Sequence, residues 1–177
     1  MAIIWPPDLT PLAFVDLEAS GLGPCSYAIE IGWALVGPDL SVTSDSRLIR
    51  PDEYLKRYGQ WEPEAERVHG IEWATLEREG VDRAAAVTAY LDAVDGAKMV
   101  LSDAPATDAQ WISELLECLP APRATPGLRH VSEVFSADVV GPSGAWHYDS
   151  VARGAAKAHR AEADARYWAE RWVAAIP

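Results

Sequence analysis

The chain has 177 residues, 49% of them hydrophobic and 24% charged, so it is globular in composition and long enough for one core, and a single domain over residues 1–177 is expected. No apolar run approaches the roughly 18 residues of a membrane span, and the opening Met1-Ala2-Ile3-Ile4-Trp5-Pro6-Pro7 lacks the basic and long apolar parts of a signal peptide, so a cytoplasmic protein with no membrane partner is expected. The formal net charge of −12 excludes a basic coat for long nucleic acid, which needs Lys and Arg to neutralise phosphates; it remains compatible with an enzyme that grips only a strand end and takes local positive charge from bound metal ions.

Residues 1–10, with Pro6 and Pro7 and then Pro11, read as an extended lead-in. Leu12-Ala13-Phe14-Val15 opens a first strand, which Gly21-Leu22-Gly23-Pro24 stops. Residues 27–36 alternate as a second strand ended by Gly37-Pro38-Asp39, and residues 40–49 close a three-strand meander before Arg50-Pro51. Residues 52–80 are weaker, with short helical pieces at 53–58 and 73–79 on either side of Val68-His69-Gly70-Ile71. Asp82 is placed to cap a helix through residue 95, whose Ala86, Val87, Tyr90, Leu91 and Val94 recur at helical spacing. After Gly96, residues 98–102 read as a buried strand. A helix starting near Thr107 then carries Trp111, Ile112, Leu115 and Leu116 on one face.

The Pro-rich residues 120–126 are a loop rather than a linker, because too little chain follows for another core. Residues 128–131 suit a last strand, with a helical turn near 132–137 and a break at Gly141-Pro142-Ser143-Gly144. A short helix capped by Asp149 or Ser150 and a long final helix holding Ala161, Ala165, Trp168, Trp172 and Val173 complete the chain. The order β-β-β-α-β-α-β-α-α suggests a mixed sheet with helices on its faces. Most of the eight tryptophans fall on apolar faces and read as core rather than as base-stacking platforms, and Cys25 and Cys118 are too few for a disulfide framework or a zinc site.

The chemistry is concentrated in three places. At the end of the first strand, the period of two sends Asp16 and Glu18 to one face and Leu17 to the other. Two like charges at one spot are costly unless a cation sits between them, and hard divalent ions are bound in this way; the alternative is a pair of solvated residues at a strand end. Later, Asp108 stands at the beginning of a helix that follows a strand and a turn. Finally, His159 and Asp164 would lie about 140° apart on an ideal helix, so both face one site only if His159 precedes the helix proper, a break that Gly154 makes plausible.

Together these motifs resemble the DEDDh (DnaQ-like) group of 3′–5′ exonucleases, on the ribonuclease H-like fold. The first motif of that family is matched by Asp16-Leu17-Glu18-Ala19-Ser20-Gly21-Leu22 and its H-x4-D motif by His159 to Asp164, and His69-Gly70-Ile71 is a further familiar triplet. The similarity runs over residues 12–170. It implies an α/β fold, a ribonuclease H-like mixed five-stranded sheet flanked by helices. The second motif departs from pattern: where family members often have H-N-x-x-F-D, this chain has Ser102-Asp103-Ala104-Pro105-Ala106-Thr107-Asp108. Asp108 takes the place of the family's Asp because Trp111-Ile112 then falls on its bulky apolar pair, with Asp103 a rival.

The resemblance implies phosphodiester hydrolysis with two divalent metal ions, Mg²⁺ or Mn²⁺. Asp16 would bridge both ions, Glu18 and Asp164 would hold one, Asp108 the other, and His159 would take the proton from the attacking water. Ala19 and Leu22, with His69, would contact the terminal nucleotides. Taken alone, His159 and Asp164 are ordinary helix-surface residues, His69 a structural loop histidine and Glu30 a satisfied or solvated strand residue, while Lys157, Arg160 and Arg166 are phosphate ligands or charge partners of the carboxylates. The implied partners are single-stranded nucleic-acid 3′ ends or short oligonucleotides, with a polymerase or a second copy of the chain as further candidates. The rival to an enzyme is a non-catalytic nucleic-acid- or polymerase-binding module that retains the exonuclease fold.

Overall fold

A computed structural model describes residues 6–136, 139–140 and 159–176. Its centre is β1 (Leu12–Ala19), the middle strand of a five-stranded sheet with order β3-β2-β1-β4-β5. β2 (Ala28–Val36) and β3 (Val42–Leu48) form the expected antiparallel meander, while β4 (Met99–Ser102) and β5 (Leu128–His130) run parallel to β1. The sheet is therefore mixed, and the fold is α/β as expected.

The alternation of β1 divides the molecule into two layers. Ala13, Val15 and Leu17 enter a core shared with two helices, α4 (Arg83–Val94) and α5 (Pro105–Leu116). Leu12 and Phe14 enter the opposite core, built with α6 (Ala161–Ala175) and with Val131, Val134 and Phe135. β2 obeys the same parity: Ile31 and Trp33 go to the first layer, Ala34 and Val36 to the second. Each buried Val, Leu, Ile or Phe among them is worth roughly 1.5–3 kcal/mol when removed from water, so the parity of both strands is strongly specified.

Between β3 and α4 lie three short helices, α1 (Glu53–Tyr58), α2 (Pro63–His69) and α3 (Trp73–Glu79). Leu55, Ile71 and Leu76 tie this segment to Tyr27 and Ile29 around the start of β2. Only α2 is absent from the sequence expectation, and it makes His69 a buried helix-end residue rather than a loop histidine. Gly70 follows it at φ +66, a left-handed helix stop that glycine adopts at little cost. Asp82 caps α4 as its position suggests, accepting the Ala85 amide.

The lead-in is partly a 3-10 turn, Pro6–Leu9, rather than fully extended. The turn after β5 is the 3-10 segment Val131–Glu133. The expected break at 141–144, the helix capped by Asp149 or Ser150, and Gly154 and Lys157 lie outside the described residues. Trp33, Trp111, Trp168 and Trp172 are buried in the two cores, and Trp61 packs edge-on against Trp73 at 5.4 Å, in keeping with their reading as core. Among the described residues no helix is long and apolar enough to cross a membrane.

Candidate active site

The parity that sends Leu12 and Phe14 toward α6 continues along β1, so Asp16 and Glu18 emerge on the α6 side at the strand's C-terminal end. α6 meets them there with Asp164, in its first turn. Ligand atoms of Asp16, Glu18 and Asp164 all lie within 4.8 Å of one another. Asp164 is 3% exposed, so its charge is held against two others with little water to separate them. Three oxygen donors at this spacing, with no sulfur among them, could hold a hard divalent cation.

His159 lies just before the helix, with φ +48 and Arg160 as the N-cap residue. This is the arrangement that the helical-wheel argument requires. The left-handed backbone at His159 turns the chain sharply into α6, and His159 and Asp164 line the same cleft despite their unfavourable angular spacing.

Two residues of β2 set the start of α6. Glu30, directly opposite Glu18 in the strand register, is 1% exposed and accepts the Ala161 amide at 3.1 Å. It also accepts both Nε and Nη2 of Arg160 at 3.0 Å and the Ser46 hydroxyl at 2.9 Å. Arg160 is thus a charge partner, and this bond with Glu30 is the main cause that pushes its pKa above the usual arginine value. Arg166 is likewise paired, with Glu170 at 2.7 Å. The second residue is Gly32, where a Cβ would stand 2.2 Å from the Ala161 carbonyl carbon and the Glu162 nitrogen. Only a glycine lets the helix backbone approach so closely.

Asp108 arrives from the other layer. β4 ends beside β1, and Ser102 at its end accepts the Ala104 amide at 2.8 Å while donating its hydroxyl proton to Asp108. Pro105 opens α5, and Asp108, in the first turn and 3% exposed, lines the same cleft as the three clustered carboxylates. Asp103 also lines the cleft, but its carboxylate accepts the indole N–H of Trp168 on α6 at 3.3 Å.

Ala19, Leu22 and His69 also line the cleft, whose volume is about 410 Å³. Leu22 is 88% exposed and lines the cleft. Glu62 holds its loop, accepting the Leu22 and Gly23 amides at 3.3 and 3.1 Å. His69 is buried with Nδ1 accepting the Ile71 amide, which leaves the proton of the neutral ring on Nε2. Burial holds its pKa below the ordinary histidine value, with the nearby Glu66 pulling the other way.

The candidate ligands, base and substrate contacts therefore border one cleft, whereas Arg160 and Arg166 do not line it. Asp16, Glu18 and Asp164 form a tight cluster; Asp108, His159, Ala19, Leu22 and His69 line the surrounding walls. Glu30 and Glu62 had no sequence signal for the roles that the geometry gives them. Their partners lie up to 131 and 40 positions away, beyond the reach of any local motif.

No family model and no curated protein sequence matches the chain. Solved structures do. Exonuclease I of E. coli in complex with a dA16 oligonucleotide superposes with a TM-score of 0.66 at 13% identity, over 92% of this chain and 39% of that one. The zinc-bound form of the E. coli ExoI–ssDNA complex gives 0.64 at 14% identity, over 92% and 38%. A further Exonuclease I structure gives 0.65 at 15% identity, over 92% and 39%. The chain thus spans about two fifths of the length of these Exonuclease I chains, and at such identity the likeness establishes the fold alone: an α/β, ribonuclease H-like mixed sheet with helices on both faces.

Proposed function

We propose that the chain is a metal-dependent 3′–5′ exonuclease that hydrolyses the terminal phosphodiester bond of single-stranded DNA or RNA or of short oligonucleotides and releases nucleoside 5′-monophosphates. The observation that carries this reading is the convergence of Asp16, Glu18 and Asp164 within 4.8 Å, in one cleft with Asp108 and His159. Exonuclease I complexes with oligonucleotides share the fold, which supports a single strand as the ligand.

Asp16, Glu18 and Asp164 would hold one divalent ion, and Asp108, from the facing layer, would share a second with Asp16. Such ions, when bound, activate a water and stabilise the charge that develops on the leaving 3′ oxygen. The chain's own groups do the rest. His159 accepts the proton of the attacking water, a task suited to an imidazole near neutral pH and in reach of the cleft. Ser102 keeps Asp108 in place through its hydroxyl. Leu22 and Ala19 offer apolar contact to the terminal nucleotides, and the Nε2–H of His69 offers them a donor.

The test is a strand labelled at either end, as DNA and as RNA, incubated with Mn²⁺ or Mg²⁺ and resolved over time. Stepwise shortening from the 3′ end, abolished in Asp16→Ala, is expected. Strand binding with no cleavage under any of these conditions would replace the enzyme by a binding module.

A further inference from the structure

We infer that Glu30 is a positioning residue for this site: its buried carboxylate substitutes for the missing N-cap of α6 and, through Arg160 and the Ala161 amide, holds His159 and Asp164 against the carboxylates of β1. The inference rests on the proposed nuclease reading for its catalytic readout, though not for its structural one.

The N-terminal turn of a helix has backbone amides without intrahelical partners, and a side chain at the N-cap position normally satisfies one of them. In α6 the N-cap is Arg160, which has no acceptor to offer, and no side-chain cap is made locally. The acceptor comes instead from β2. One oxygen of Glu30 takes the Ala161 amide at 3.1 Å and Arg160 Nε at 3.0 Å, and the other takes Arg160 Nη2 at 3.0 Å and the Ser46 hydroxyl at 2.9 Å. A carboxylate at a helix N-terminus is also favoured by the helix dipole.

The clamp has a consequence for the site because of what lies on each side of it. Glu30 faces Glu18 across the β1–β2 pair, His159 immediately precedes Arg160, and the Asp164 amide donates to the Arg160 carbonyl at 2.9 Å. A single carboxylate thus fixes the backbone between the candidate base and the candidate ligand. His159 sits at φ +48, a conformation that a non-glycine residue keeps only when its surroundings impose it. Arg160, at 46% side-chain exposure, ties that turn to the sheet through this fork on Glu30, which is 1% exposed, and Glu162 adds a second tie by accepting the Ser44 hydroxyl of β3 at 2.8 Å.

Glu30→Gln preserves size but replaces one acceptor oxygen by a donor that faces the Arg160 fork. Its expected effect is a fall of about 10-fold in kcat with KM within about 2-fold, the pattern of a misplaced group rather than lost substrate binding. In a His159→Ala background the same substitution should cost no more than about 3-fold, because the two act through one turn and are not additive. Equal losses in both backgrounds would overturn the inference. Calorimetric Mn²⁺ titration gives a readout that needs no activity. Glu30→Gln, which also lowers the thermal midpoint because it breaks the ion pair of a buried carboxylate and a helix cap, should weaken binding several-fold at a temperature where the variant is fully folded, and Glu30→Asp, which retains the charge, should recover part of it. If the wild-type chain cleaves no strand, the nuclease reading fails alone, and the Mn²⁺ titration still decides this one: affinity equal to wild type in Glu30→Gln overturns it.

Discussion

Asp16 and Gly32 are paired in the antiparallel β1–β2 register, so the residue that presents the first carboxylate sits across from a position where the α6 backbone comes directly against the sheet. Asp164 reaches Asp16 because α6 begins there, and α6 begins there because nothing larger than a hydrogen projects from Gly32. Gly32→Ala puts a methyl group 2.2 Å from the Ala161 carbonyl carbon and the Glu162 nitrogen, and these are backbone atoms that cannot rotate away. The helix start must move. Overpacking of this kind costs about 1–3 kcal/mol, so urea unfolding should show that loss together with weaker Mn²⁺ binding. An unchanged unfolding midpoint with unchanged metal affinity would mean that α6 can shift without disturbing Asp164.

Much of this arrangement was legible in the residues. The period of two at Phe14-Val15-Asp16-Leu17-Glu18 gave the face of the acidic pair, and the spacing of His159 and Asp164 required a helix starting between them, which Ala161 provides. Asp82 and the apolar positions of α4 were equally clear. α2 was not, because its seven residues Pro63–His69 hold only Ala65 and Val68 as apolar members and its N-cap, Glu62, makes no side-chain cap. The Pro6–Leu9 turn was masked by prolines, which suit extended chain and a 3-10 turn alike. The place of Glu30 was hidden for another reason. Its partner Arg160 lies 130 residues away, and only the folded sheet brings them together.

The proposed metal dependence is motivated by three carboxylates within 4.8 Å. Mn²⁺ titration by calorimetry should show binding that Asp16→Ala abolishes, and the wild-type protein should gain thermal stability with added Mn²⁺, as any ligand of the native state confers. Removal of the ion with EDTA should stop hydrolysis. Hydrolysis that persists in excess EDTA would remove the two-metal mechanism.

The candidate base makes a separate claim. His159→Ala should lower kcat by roughly 10²- to 10⁴-fold, the usual worth of a general base, while Mn²⁺ affinity stays close to wild type because the three clustered ligands are untouched. A variant as active as its parent would assign proton transfer to another group.

His69 gives a pH dependence of stability with a definite sign. Burial holds its folded pKa below the ordinary value of 6.5, so the unfolded chain takes up the proton more readily than the folded one. Its neutral ring costs nothing above about pH 6.5; as pH falls from there toward the lowered folded value, stability is lost, and the loss levels off below it. Urea unfolding near pH 7.5 and near pH 5 should therefore show a larger drop for the wild type than for His69→Gln, other groups being common to both. Equal drops would mean that His69 accepts its proton in the folded state without penalty.

The remaining question at the site is which carboxylate of the second motif serves as ligand, and the two differ in what already holds them. Asp108 is buried, fixed by the Ser102 hydroxyl, and opens on the cleft from the first turn of α5, while Asp103 is turned to the indole N–H of Trp168 at 3.3 Å. Asp108→Asn should nearly silence hydrolysis, because an amide neutralises a cation far less well than a carboxylate does. Asp103→Asn should be mild or activating: an amide oxygen can still accept from Trp168, and one negative charge fewer at the cleft eases the approach of a phosphate to a chain of net charge −12. Steady-state rates of the two variants on one labelled oligonucleotide decide the matter. An inactive Asp103→Asn beside an active Asp108→Asn would move the ligand from the start of α5 to the turn after β4, and Trp168 would then be the group that orients it.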